Sequence, residues 1–218
     1  MTAARTADPA RPASRGRIDK RESILGAAFT VFAREGYAAA SVDAIAAEAG
    51  VAKPTVYNHF GDKEGLFRAV VVAEAERAVV KNLAVVHRLQ DTGDDIRPLL
   101  VDVGSRLVEC YSDDRSWALR RLLYAEVTKF PDLFDVVRAG AADQVAEALA
   151  DRLARLSLAG RLRRLDPVAA AEQFAALLTG PMEARSRMGT KALGEAEYRA
   201  VAEAAVDTFL AAFGAQRA

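Results

Sequence analysis

Between residues 41 and 63 the chain gathers side chains suited to one kind of chemistry, the reading of a nucleic-acid duplex. Lys53 and Thr55 can reach phosphate oxygens, and Asn58 can bond adenine in a major groove. Tyr57 offers a hydroxyl on a rigid body, and His59 stands beside it. Lys63 puts a cation where a helix begins, next to free backbone N–H groups that favour an anion. Hydrolytic and metal chemistry are poorly served. The chain holds two histidines, His59 and His87, and one cysteine, Cys110. It has no His-Glu-x-x-His, no glycine-rich phosphate loop and no Gly-x-Ser-x-Gly elbow. The expectation is a protein that is not an enzyme and that uses no metal and no cofactor.

Such residues act only if short helices hold them outward. Apolar residues recur at helical spacing through most of the chain, alanine is abundant and no stretch alternates like a strand, so the fold is expected to be all-α. Prolines at helix starts and glycines at helix ends divide the chain into about nine helices. These are expected at 17–35, 42–49, 53–60, 63–89, 94–111, 113–129, 131–158, 167–186 and 195–213. Leu25, Ala28, Phe29 and Phe32 form the buried stripe of the first, Gly36 ends it, and Tyr37 is a packing anchor just beyond it. Ser41 caps the second, which buries Val42, Ile45, Ala46 and Ala49; Gly50 turns the chain, and Pro54 starts a very short third helix. Val56 and Phe60 face inward there. Two short helices joined through a glycine turn make a helix-turn-helix, which exposes the second of them.

The stretch Ile24 to Tyr37, then Ser41-Val-Asp-Ala-Ile45-Ala46, then Ala49-Gly50-Val51-Ala-Lys-Pro-Thr-Val-Tyr-Asn-His-Phe60 and Asp62-Lys63-Glu64 resembles the TetR family of transcriptional regulators. The likeness is dense over about residues 17 to 77. It implies an N-terminal helix-turn-helix domain at 17–63, behind a disordered arm at 1–16, and a larger helical domain for effector binding and dimerisation at 64–218. It implies that Ser41, Lys53, Pro54, Thr55, Tyr57, Asn58, His59 and Lys63 meet double-stranded operator DNA, with Arg17 contributing from the arm. Family members often carry serine where this chain has Ala52, so an N-cap is missing at the third helix. The segment Tyr124-Ala-Glu-Val-Thr-Lys-Phe-Pro131-Asp-Leu is similar to one found in a branch of TetR ligand domains.

In the larger part, Tyr111, Trp117, Tyr124, Phe130 and Phe134 concentrate rings in the middle helices, and a ring-lined cavity there would suit a small-molecule effector. Cys110 is expected to be a small buried hydrophobe, and His87 an exposed helix-end residue. The last two helices carry wide apolar faces, including Phe174, Leu178, Met182, Val201, Thr208 and Phe209. Those faces are expected to meet their equivalents in a homodimer, as the family usually does. A dimer spaces two reading helices at about 34–36 Å, one turn of DNA.

Composition sets outer limits. The chain has 218 residues, 51% hydrophobic and 28% charged, enough to bury a core without a disulfide or metal. Thirty basic and thirty acidic residues cancel. In residues 1–68 ten Lys/Arg stand against eight Asp/Glu, so affinity for DNA must come from placement on one face. Charged residues interrupt every apolar run short of a membrane span, and a cytoplasmic location is expected. Two rival functions share this sequence: a helical enzyme or carrier using the cavity, with Glu126 and Arg120 or Arg121 as its titrating pair, and a protein-interaction adaptor.

Overall fold

The computed structural model describes residues 11–90 and 95–215, with backbone alone at 11–16 and Ala141. It forms two compact units, Met1–Ala73 and Glu74–Ala218. The first holds α1 (Arg11–Ala39), α2 (Val42–Glu48), α3 (Lys53–Phe60) and the opening turns of α4 (Lys63–Val86). The second holds the rest of α4, then α5 (Arg97–Ser112), α6 (Asp114–Glu126), α7 (Pro131–Val137), α8 (Asp143–Leu158), α9 (Pro167–Ser186) and α10 (Glu195–Phe213). A π-helical segment, Arg138–Ala142, joins α7 to α8 without a break, so the ten α-helical segments make nine rods among the described residues. No strand occurs there; one isolated bridge, Leu162 to Gly214, ties the chain before α9 to the end of α10.

Two boundaries differ from expectation. Residues 1–10 of the arm lie outside the described residues, but 11–16 have helical backbone continuous with α1. Alanine and arginine there favour the helix, and Pro12 sits in its first turn, where a missing N–H is harmless. The first unit also takes in residues 64–73, because Leu66, Phe67, Val70 and Val71 of α4 are buried.

The first core is aromatic. Phe32, Tyr37 and Phe67 meet with ring centres 4.8–6.0 Å apart, and Ile24, Phe29, Ile45 and Leu66 fill the space around them. α1 is bent at Gly36, whose φ of 77° lies where only glycine is comfortable, and this bend swings Tyr37 into the core. In the second unit α5 is central: α9 and α10 both pack on it, and α8 packs on α9. Gly104 of α5 lies close under Leu178, Phe174 and Ala202.

That arrangement corrects the expected dimer surface. Phe174, Leu178, Met182, Val201 and Phe209 are at most 3% exposed within a single chain, so they are core residues and cannot be presented to a partner. Phe174 and Phe209 meet edge to face at 4.9 Å. Of the six residues, Thr208 alone is exposed, with its hydroxyl donating to the Ala204 carbonyl at 2.9 Å. The apolar stripes do need burial, but α5 of the same chain supplies it.

Candidate nucleic-acid interface and ligand cavity

α2 starts where Ser41 Oγ accepts from the Ala44 N–H at 3.1 Å, satisfying one of the free donors of the first turn. Gly50 then turns the chain, and α3 starts at Lys53 with no side-chain cap at Ala52 and with Pro54 in its first turn. α3 is pinned to the unit by Val56, 2% exposed, and by Phe60, which is half-buried rather than fully in the core. The guanidinium of Arg21 lies 5.6 Å from the Phe60 ring centre. The opposite side of α3 faces solvent: Lys53, Pro54, Tyr57 and Asn58 are exposed, Thr55 and His59 half-buried. Tyr57 is 41% exposed, so it is not a core ring. Arg17 and Ser41 are exposed as well, although the Ser41 hydroxyl oxygen is engaged by its cap.

Two of the expected DNA contacts have internal partners that the sequence did not reveal. Lys53 Nζ lies 2.8 Å from Asp43 Oδ2, an exposed pair linking the starts of α3 and α2. That pairing raises the Lys53 pKa, chiefly through the hydrogen bond to Asp43. Exposed pairs of this kind are weak and easily exchanged for a phosphate. Replacing Asp43 by asparagine is therefore expected to tighten DNA binding about threefold to tenfold at low salt and to leave little difference at high salt, measured by fluorescence anisotropy.

Lys63 departs further from expectation. Its Nζ turns inward, donating to the carbonyls of Ala40 at 2.8 Å and Ala38 at 3.1 Å, and lies 4.7 Å from the Tyr37 ring centre. It braces the end of α1 against the start of α4. Asp62 Oδ1 accepts from the Gly65 N–H at 2.7 Å and caps α4. A Cβ on Gly65 would strike the Phe60 carbonyl oxygen, so only glycine lets the end of α3 lie so close to α4.

In the second unit, a cavity of about 390 Å³ opens among α4 to α9. Small residues make it: Ala75 and Ala78 of α4, Ala142 and Ala146 around the π-helical segment, and Ala175 of α9. Of the five rings expected to line it, Tyr111 does. Trp117 is 2% exposed and packs edge-on to Tyr111 at 5.5 Å, outside the lining. Phe130 is buried elsewhere, and Tyr124 and Phe134, each 44% exposed, face solvent. Cys110 is half-buried in the wall rather than in the core, and burial pushes its thiol pKa up, away from thiolate chemistry. The pair suspected of titrating is split: Arg121 donates to the Met188 carbonyl at 2.8 Å, and Arg120 lies against the Tyr111 and Trp117 rings. His87 is exposed just past the end of α4.

A short helix leading through a glycine turn into an outward-facing second helix, braced by α1, defines a helix-turn-helix DNA-binding regulator. Residues 24–70 match the family model for bacterial regulatory proteins of the tetR family, and residues 98–215 match that of the AefR-like transcriptional repressor C-terminal domain. The chain belongs to the TetR family.

Among curated proteins it is 43% identical over 63 residues to the HTH-type transcriptional activator FasR of Mycolicibacterium smegmatis, covering 29% of each chain. It is 30% identical over 125 residues to the HTH-type transcriptional repressor ComR of Escherichia coli, covering 56% of this chain and 58% of that one. Thus it spans less than two thirds of these relatives. Its fold matches a TetR-family transcriptional regulator from Mesorhizobium loti with a TM-score of 0.84 at 30% identity, over 91% of this chain and 98% of that one. The flavonoid-responsive regulator FrrA is also similar, with a TM-score of 0.65 and 28% identity over 94% and 100% of the two chains. These proteins are regulators and not enzymes. No helix among the described residues is long and apolar enough to cross a membrane.

Proposed function

We propose that the protein is a homodimeric repressor that holds operator DNA through α3 and releases it when a small molecule fills the α4–α9 cavity. One observation carries the ligand response: α4 contributes Ala75, Ala78, Val79 and Asn82 to the cavity wall, and the same helix begins in the DNA-reading unit. A ligand that fits one position of α4 better than another shifts the population towards it, and with it the separation of two reading helices. FrrA, a similar protein, is flavonoid-responsive, and ComR is a repressor, which supports the reading. The dimer face is assigned to the solvent side of the last two helices. There Ala176, Gly180 and Ala184 of α9 and Ala200, Ala204 and Thr208 of α10 are exposed at helical spacing, small enough for close approach. DNA contacts are assigned to Lys53, Pro54, Thr55, Tyr57, Asn58 and His59, with Arg17 and Ser41 at the edge.

Gel-shift titration against DNA from upstream of its own gene tests the assignment, with sedimentation establishing the dimer. Tyr57→Ala is expected to weaken binding on every sequence. Asn58→Ala is expected to lose about 1–3 kcal/mol of discrimination at one base pair. If the dimer neutralises about eight phosphates, log K falls with log salt at a slope near −7. Operator affinity unaltered in both variants contradicts the role given to α3.

A further inference from the structure

Among the described residues that line the cavity, Arg120 is the one charged side chain. Its guanidinium lies in the corner formed by two edge-to-face rings, 3.7 Å from the Tyr111 ring centre and 4.0 Å from that of Trp117, and Nη2 donates to the Tyr111 carbonyl. Its Nε is buried and has no hydrogen-bond partner. The acids in its neighbourhood are engaged elsewhere. Asp113 pairs with Lys81 at 2.9 Å and caps α6 through the Ser116 N–H at 2.7 Å, while Glu183 accepts from the Tyr124 hydroxyl at 3.3 Å. Burial moves the Arg120 pKa down from its ordinary value, outweighing the attraction of Asp113 and Glu183.

Aromatic faces support a cation but do not neutralise it, and an arginine does not give up its proton. A guanidinium set in an apolar wall is costly unless an acceptor or an anion answers it. Among the described residues the wall contributes no carboxylate to answer it. The hydroxyls of Ser116 and Thr179 already direct their protons to the Cys110 and Ala175 carbonyls, at 3.0 and 2.9 Å. What remains of the lining is mostly aliphatic.

We infer that the cavity takes an amphipathic carboxylic acid in its anionic form, with the carboxylate against the guanidinium of Arg120 and an apolar body along the alanine, valine and leucine wall. The inference rests on reading this cavity as the effector site and adds the chemical class of the effector. A carboxylate matches a guanidinium in charge and in hydrogen-bonding geometry, and does so in a place where water competes poorly. An uncharged ligand of the same shape gains the apolar contacts but leaves Arg120 unanswered.

Isothermal titration calorimetry on the full-length protein tests this with two matched pairs of probes: decanoate against decanol, and 4-phenylbutanoate against 4-phenylbutanol. At least one acid is expected to bind the wild type about tenfold or more tightly than its alcohol, a difference typical of a charge-assisted bond. R120M is expected to remove that preference while still binding the alcohol, which also shows that the variant is folded; R120K is expected to keep part of it. Equal binding of acid and alcohol to the wild type, or a preference that survives in R120M, overturns the inference and leaves the cavity as an effector site. If none of the four probes binds, the inference and the effector-site reading fall together. The wild-type comparison decides even if R120M fails to fold.

Discussion

Replacing Arg115 by methionine is expected to destabilise the second unit by about 3 kcal/mol, the lower end of what losing one partner of a buried ion pair costs. Glu74 is 9% exposed, and both its oxygens are met by Arg115, through Nε at 2.9 Å and through Nη2. Arg77 adds a longer contact at 3.9 Å. Without Arg115, a carboxylate stays in a place where water reaches it poorly. Because the Arg115 side chain is itself 37% exposed, the loss stays near 3 kcal/mol rather than 5. The midpoint of thermal unfolding should fall by roughly 6–12 °C for a unit of this size. Adding Glu74→Leu to Arg115→Met should recover much of that, since no buried charge then remains. A single variant within about 0.5 kcal/mol of the wild type in urea titration would show that this pair is ornamental.

The second large effect is expected at Lys63. Lys63→Met keeps the aliphatic stem but removes both charge-assisted bonds to the Ala38 and Ala40 carbonyls, and Ala40 is 3% exposed. A loss of about 2–3 kcal/mol in the first unit should result, and operator affinity should drop with it. The salt dependence separates a brace from a phosphate contact. As a brace, Lys63 should leave the slope of log K against log salt unchanged. A slope reduced by about one, with stability intact, would make Lys63 a phosphate ligand after all.

The two head helices were legible from the sequence because their signals are local. Ser41 as a cap, Pro54 in a first turn and apolar residues at every third or fourth place each act within a few residues, and α3, α9 and α10 start and stop where those signals put them. The partner of a buried stripe is not local information. Phe174, Leu178 and Phe209 announce burial, but whether α5 or a second chain provides it depends on how a distant segment runs.

The cavity misled for a related reason. Large rings fill space, so Trp117 and Phe130 went into packing. Room for a ligand appears where several small residues face one another, here alanines from three separate stretches. The same holds for Lys63, whose carbonyl partners lie 23 and 25 residues away in sequence. Arg120 stood out in the sequence only as a possible partner of Glu126, because nothing local shows that its side chain is turned toward Tyr111 and Trp117.

The close seating of the Phe60 carbonyl against Gly65 has a mechanical result. The Gly61 N–H holds Tyr57 at 2.8 Å, Asp62 fastens the start of α4, and no side chain separates the two helices at their joint. This coupling has no backlash: α3 cannot tilt on its own, and whatever turns the first turns of α4 carries the whole head along. On the proposed reading, an effector acting through such a joint is expected to change whether the protein sits on its site, not which bases it prefers.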